Sequence, residues 1–352
     1  MSLAYQAVQW NRQKRRYDRT IAVWIAAFLS GFIIVTKALF PAVTDEILAL
    51  RACGTAALAL LHLILAIGPL CRLDPRFLPL LYNRRHAGVA LAILALAHAV
   101  LVLATYHAAG DVSVWLSLVR GSRWTPSIAG VPFQLFGLVA LLILLLMAAT
   151  SHDFWLAQLT APVWKSLHQL VYVAYGLLVL HVAFGVLQAE SHPLPAIATG
   201  LGLVLLTALH LAAARREGRR DATSGRRVAD GFVDVLGLDE LVEGRGRTVM
   251  LAGERVALFR YDGLIAALSN VCQHQNGPLG EGRIRDGCVT CPWHGYQYDP
   301  ATGAAPAPFV ERVPTFNVRI AGGRILVHPQ PNPPGHRAEP ARVPGTTHPV
   351  LA

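Results

Sequence analysis

The chain has 352 residues, only 15% of them charged, and a mean hydropathy of +0.44; that length allows two domains, and that composition excludes an ordinary soluble protein. The net charge of +10 does not indicate a nucleic-acid binder, because the basic residues gather beside hydrophobic segments rather than along one soluble face with interleaved aromatics. Five scattered cysteines exclude a disulfide scaffold, and Cys53, Cys71 and Cys288 read as ordinary buried thiols.

Six stretches, near 20–36, 52–71, 87–110, 124–152, 166–189 and 191–214, contain no Asp, Glu, Lys or Arg. Each approaches the ~20 residues a helix needs to cross a bilayer core. Arg12, Lys14, Arg15, Arg16 and Arg19 precede the first, which lacks a small-residue cleavage site and reads as a retained helix rather than a signal peptide. Basic residues also collect between the second and third stretches (Arg72, Arg76, Arg84, Arg85) and after the sixth (Arg215, Arg216, Arg219, Arg220, Arg226, Arg227), whereas the opposite loops are poorer in charge. The positive-inside rule then places both termini in the cytosol, in a multi-pass protein of the inner (cell) membrane in contact with its lipid.

Beyond a basic linker over 215–229 the pattern changes to short alternating runs joined by turn dipeptides. Runs 255–261 and 264–268 flank Asp262-Gly263, 283–285 and 288–291 flank Asp286-Gly287, and 316–320 and 324–327 flank Gly322-Gly323. The expected fold class is a membrane all-α six-helix bundle over 20–214, after a basic N-terminus 1–19, followed by a small all-β domain over 230–330. The Pro-rich tail, 331–352, is expected to be disordered.

Within the β domain Cys272 and His274 form a Cys-x-His pair, and Cys291 and His294 form a Cys-x-x-His pair. A Cys₂His₂ zinc site is the plain alternative, but zinc pairs usually come as Cys-x-x-Cys and His-x₃₋₅-His. Mixed loops suit a two-iron cluster in which each loop gives one ligand to each iron, the cysteines to the inner and the histidines to the outer. The surrounding residues, Cys272-Gln273-His274-Gln275-Asn276-Gly277-Pro278-Leu279 and Cys291-Pro292-Trp293-His294-Gly295-Tyr296-Gln297-Tyr298-Asp299, resemble the Rieske ferredoxin and ring-hydroxylating dioxygenase family over about 230–330. That resemblance implies a three-sheet β fold and a [2Fe–2S] cluster. Cytochrome bc-type members carry a disulfide between the two loops; Gly277 and Trp293 stand at the corresponding positions here, which implies the lower-potential ferredoxin class.

Nine histidines fall in or beside the hydrophobic half, where an imidazole is costly and usually marks a ligand or a proton path. His107, His152, His192 and His210 lie near helix ends and read as packing or interfacial residues. His168 and His181 are 13 residues apart and His86 and His98 are 12 apart, about 20 and 18 Å of helical rise. Depth pairs His86 with His168 and His98 with His181, and opposed imidazoles from neighbouring helices can clamp a b-type haem. His62 is a reserve ligand; Arg51, Arg84 and Arg85 are possible propionate partners. Arg84-Arg85-x-x-Gly88 before His98, and Trp164-x-x-Leu167-His168 before Val171-Tyr172 and His181, resemble the ferric reductase-like transmembrane superfamily, above all the haem-binding membrane subunits of periplasmic methionine sulfoxide reductase systems. The resemblance spans about 20–214 and implies His98, His168 and His181 as ligands of haem b; His86 departs from it and decides between one haem and two.

No G-x-G-x-x-G follows a strand, so a cytosolic reductase or ferredoxin must supply electrons. The expected function is electron transfer from that donor through the cluster and haem to a periplasmic redox acceptor: a molybdoenzyme, ferric iron or oxygen. A quinone-linked membrane oxidoreductase and a cytosolic redox sensor are the alternatives.

Overall fold

The computed structural model describes residues 12–81, 84–108, 112–120, 133–151, 155, 159, 161–189, 192–221, 226–274, 277–293 and 295–345. The chain divides between Ala213 and Ala214 into two compact units.

The first unit is helical. Its long helices are α1 (Arg12–Leu39), α2 (Asp45–Leu73), α3 (Arg84–Val102), α4 (Phe133–Ala149), α5 (Ala161–Phe184) and α6 (Leu194–Asp221). All but α4 are long and apolar enough to cross a membrane; α4 is apolar but has only 17 residues, and 124–132 and 152–154 lie outside the described residues. Among the described residues short helices, Leu78–Leu81, Val114–Arg120 and Val186–Ala189, stand beside the six long ones expected. The hydroxyl of Ser113 accepts from the Leu116 amide, an N-cap that starts a helix in what the charge pattern marked only as a loop. A π turn, Leu103–His107, ends α3.

Small residues let the helices approach closely: Ala56 and Ala57 of α2, Ala140 of α4 and Ala174 of α5 are buried around Leu61, Leu91 and Leu144. Asp45 and Glu46 in the first turn of α2 suit its positive end. Lys37 joins α1 to this turn through Asp45 at 2.9 Å and the Val43 carbonyl at 2.7 Å. Helix α6 runs past the division at Ala213 and continues through Asp221, so the first part of the expected linker 215–229 is helix. Arg219 in its last turn suits the negative end of the helix dipole.

The second unit carries three antiparallel sheets. The first has the order β1 (Arg226–Arg227), β2 (Val233–Gly237), β11 (Arg324–Val327) and β10 (Val318–Ala321). The second runs β12 (Ala341–Arg342), β5 (Leu264–Ser269), β4 (Glu254–Tyr261) and β3 (Gly246–Leu251), with β9 (Thr315–Phe316) also on β5. The third is β6 (Arg283–Arg285), β7 (Cys288–Thr290) and β8 (Gln297–Tyr298). The three dipeptides marked as turns join β4–β5, β6–β7 and β10–β11, and both residues of each have positive φ, as type I′ hairpins require. Ala252-Gly253 makes the same turn between β3 and β4, without the Asn or Asp that would announce it. Leu258, Ile265, Phe316 and Ile325 lie at the centre of the core.

The tail is ordered through Gly345, which corrects the expected disorder over 331–352; residues 346–352 lie outside the described residues. Strand β12 pairs with the edge of β5, the Thr315 hydroxyl donates to the His336 carbonyl at 3.0 Å, and Val343 and Ala338 are buried. Few apolar residues suffice because an existing sheet edge supplies the backbone partners. Truncation after Gln330 is therefore expected to destabilise this unit by about 2–3 kcal/mol, the worth of burying one valine and its neighbours; thermal melts followed by near-UV circular dichroism check it, and an unchanged midpoint would contradict it.

Candidate metal and cofactor sites

In the second unit the hairpins bring two loops together. The Cys272 amide donates to the Gly277 carbonyl at 2.9 Å and the Cys291 amide to the Tyr296 carbonyl at 2.8 Å, so each loop turns back on itself directly beside its cysteine. Both cysteines are buried and neither is in a disulfide. Gly277 is where the loops meet: a Cβ there would lie 2.6 Å from Cys291 Sγ and 3.2 Å from the Trp293 ring, so Gly277 and Trp293 do face each other.

The aromatic residues of β8 complete the site. The Tyr298 hydroxyl accepts from the Gln273 amide at 2.9 Å and stands 3.4 Å from Cys272 Sγ. Burial, and then the neighbouring Cys272, raise the pKa of this phenol, so it stays protonated and has its own hydrogen to give to the sulfur. Tyr296 stacks on His274 with centroids 5.0 Å apart and planes 8° from parallel, and its hydroxyl donates to Glu311. Cys272 and His274 lie on the first loop and Cys291 on the second; His294 lies outside the described residues, and among the described residues no three His, Cys, Asp or Glu side chains form a metal group. Cys288 is half-buried on β7, and burial together with Asp299 and Asp286 raises its thiol pKa, which suits an inert protonated thiol. Cys71 is buried as expected and Cys53 is half-buried.

In the first unit the histidines are sorted by what each ring nitrogen touches. A carbonyl or carboxylate only accepts, so an Nδ1 held by one carries the hydrogen and leaves the lone pair on Nε2. This holds for His62 (Leu58 O, 2.8 Å), His86 (Asp18 Oδ1, 2.7 Å), His98 (Leu50 O, 2.8 Å), His168 (Trp164 O, 3.0 Å), His181 (Phe133 O, 3.0 Å) and His210 (Leu206 O, 3.0 Å). The Nε2 atoms of His62 and His210 accept from Tyr175 at 3.0 Å and Tyr172 at 3.5 Å. Those of His98, His181 and His168 have no hydrogen-bond partner among the described residues.

His98 and His181 are brought together, their centroids 6.3 Å apart and their planes at 85°. That separation has room for one metal ion at imidazole–metal bonds of about 2 Å, and the carbonyl-held Nδ1 is the usual support of a metal-ligating histidine; the pair fits an axial set for haem. His86 instead meets Asp18 and the edge of Tyr17, and His168 stacks on Trp164 at 3.8 Å. His107 is buried against Ser117 at 2.7 Å, and His192 caps the Leu194 amide, as packing and interfacial residues do. His152 lies outside the described residues.

Residues 231–317 match the family model described as Rieske [2Fe-2S] domain. Over 97 residues the chain is 31% identical to the ferredoxin component of the naphthalene 1,2-dioxygenase system of Pseudomonas aeruginosa, covering 27% of this chain and 93% of that protein. The chain belongs to the Rieske [2Fe–2S] family. The anthranilate 1,2-dioxygenase ferredoxin subunit of Burkholderia cepacia is 34% identical over 92 residues, 26% of this chain and 85% of that one. Among solved structures, the ferredoxin of carbazole 1,9a-dioxygenase from Nocardioides aromaticivorans IC177 is 31% identical, covers 29% of this chain and 100% of that chain, and has a TM-score of 0.27. Residues 53–179 match a second family model, the ferric reductase like transmembrane component. A Rieske domain and a ferric reductase-like membrane domain in one chain support a membrane electron-transfer oxidoreductase, and the Rieske domain supports a [2Fe–2S] cluster.

The supporting residues Tyr296, Tyr298 and Glu311 escape a search for ligand spacing, since none is a ligand type at motif distance; an alternating run after the Rieske Cys-x-x-His pair is the one signal for the tyrosines. Gly277→Ala is expected to remove most of the cluster from the Rieske domain, because the methyl occupies the space of Cys291 Sγ, while Cys288→Ser leaves it intact. Cluster EPR per chain checks both, and full occupancy in Gly277→Ala would contradict the packing described.

Proposed function

We propose that the chain carries single electrons across the cell membrane, from a cytosolic reductase or reduced ferredoxin to a periplasmic acceptor. Cys272, His274, Cys291 and His294 would hold the [2Fe–2S] cluster, and His98 and His181 would hold a b-type haem. The observation that carries this reading is the facing pair of imidazoles in the same chain as the Rieske domain. When bound, the cluster and a doubly ligated haem supply one-electron carriers with filled coordination.

The chain's own residues do the positioning. The Leu50 and Phe133 carbonyls hold the His98 and His181 hydrogens on Nδ1. Tyr298 gives its hydrogen to the Cys272 sulfur, and Tyr296 fixes the plane of His274. A hydrocarbon core ~30 Å thick is too wide for an unassisted electron, so a carrier within the bundle is required. Basic loops before α1, between α2 and α3 and after α6 support a cytosolic Rieske domain over 230–330 beside the cell's reductants. The relatives in dioxygenase systems are ferredoxins, which supports the same one-electron role. The acceptor class is a molybdoenzyme, ferric iron or oxygen.

His86 and His168 support a second haem, since both keep Nδ1 on an oxygen and so leave the lone pair on Nε2. Loss of half the haem in His86→Ala is expected with two haems, and unchanged haem content would leave one.

In inverted vesicles, added reduced ferredoxin or flavin reductase is expected to reduce the haem; right-side-out vesicles should not respond, but should reoxidise prereduced haem when given the acceptor. Haem reduction only from the periplasmic side would reverse the direction, and reduction that needs added quinol would replace the outer acceptor by quinone.

A further inference from the structure

Gly54 and Gly137 occupy equivalent places beside the two facing histidines. We propose that each is a notch that admits one histidine Nδ1–H to the side of a neighbouring helix, and so sets the orientation of an axial haem ligand. The inference rests on the reading of His98 and His181 as haem ligands.

The two arrangements repeat the same spacing. His98 on α3 reaches across to Leu50 O of α2, and His181 on α5 reaches across to Phe133 O of α4. Four residues beyond Leu50 is Gly54; four residues beyond Phe133 is Gly137. In a helix the carbonyl of residue i accepts from the amide of residue i+4 and has a second lone pair for another donor. The Cβ of residue i+4 leans toward the helix N-terminus and covers that carbonyl. Glycine at i+4 is therefore what leaves the carbonyl open.

The clearances bear this out on both sides. A Cβ at Gly54 would lie 2.9 Å from His98 Nδ1 and 3.0 Å from Cε1; a Cβ at Gly137 would lie 2.7 Å from His181 Nδ1 and 2.8 Å from Cε1. The ring cannot swing away without giving up its carbonyl. His168 and His210 provide the contrast, since each reaches the carbonyl four residues back in its own helix (Trp164 and Leu206); His62 does the same with Leu58, and the glycine beside it, Gly202, would meet its Nε2 at 2.6 Å and not the Nδ1 that its carbonyl holds. Among these five histidines, only the two whose rings face each other use a carbonyl of another helix, and both do so beside a glycine.

The test uses the full-length chain purified in detergent, with Gly54→Ala and Gly137→Ala compared with Gly88→Ala and Gly200→Ala, positions where a Cβ meets nothing within 4 Å. Alanine is the better helix former, so these changes do not weaken the helices themselves. The Rieske EPR signal reports the integrity of each preparation. In Gly54→Ala and Gly137→Ala the haem-to-cluster ratio is expected to fall severalfold, or the low-spin ferric haem EPR signal and the haem midpoint potential to shift, with both controls at wild-type values. Wild-type ratio, EPR signal and potential in Gly54→Ala and Gly137→Ala would overturn the proposal, as would loss of the cluster signal along with the haem, which marks a broken fold. Haem absent from the wild type, or retained in His98→Ala and His181→Ala, would instead defeat the ligand reading on which the proposal rests.

Discussion

An imidazole inside a helix bundle must place its N–H on an acceptor, because an unpaired polar group in hydrocarbon costs several kcal/mol. That requirement governs the membrane unit. Leu50 and Phe133 each offer a helix carbonyl to a histidine of another helix, and the hydrogen on Nδ1 leaves the Nε2 lone pair for a ligand role. His62 and His210 also keep Nδ1–H, but Tyr175 and Tyr172 hydrogen-bond their Nε2 atoms. His98 and His181 therefore differ from His62 and His210 in one contact, on the far side of the ring.

The Rieske unit solves a similar problem with loop rather than helix carbonyls. Tight loops carry amides that must be satisfied near buried sulfur, and the Cys272 and Cys291 amides close onto Gly277 and Tyr296 within their own loops. Tyr298 then links the first loop to β8, and Tyr296 links His274 to Glu311. The sheets are a rigid support for this: four hairpins of two-residue turns hold the strands in register, and the tail strand β12 closes the edge of β5.

Much of this was legible in the sequence, for identifiable reasons. Apolar length marked the helices, and Asp-Gly and Gly-Gly marked three hairpins, because each signal is local. Cys-x-His and Cys-x-x-His were likewise local. What local pattern cannot carry is the neighbour across space. Depth pairs His86 with His168, but depth does not say which side of a helix a ring leaves from, nor that His86 Nδ1 rests on Asp18 of α1. The tail read as disorder because Pro content signals a chain without its own core, while the partner it uses is an edge strand more than 70 residues earlier. Ser113 starts a helix that no charge pattern announces, and nothing in local sequence marks Gly54 and Gly137 as neighbours of imidazoles.

We propose that the Rieske domain and the membrane histidines serve one electron path. Rapid anaerobic mixing of the oxidised full-length chain with reduced ferredoxin, followed at cluster and haem wavelengths, tests it most directly. One path predicts that the cluster is reduced first, that the haem follows, and that Cys291→Ser abolishes haem reduction by this donor. Haem reduction at an undiminished rate in the cluster-free chain would contradict it.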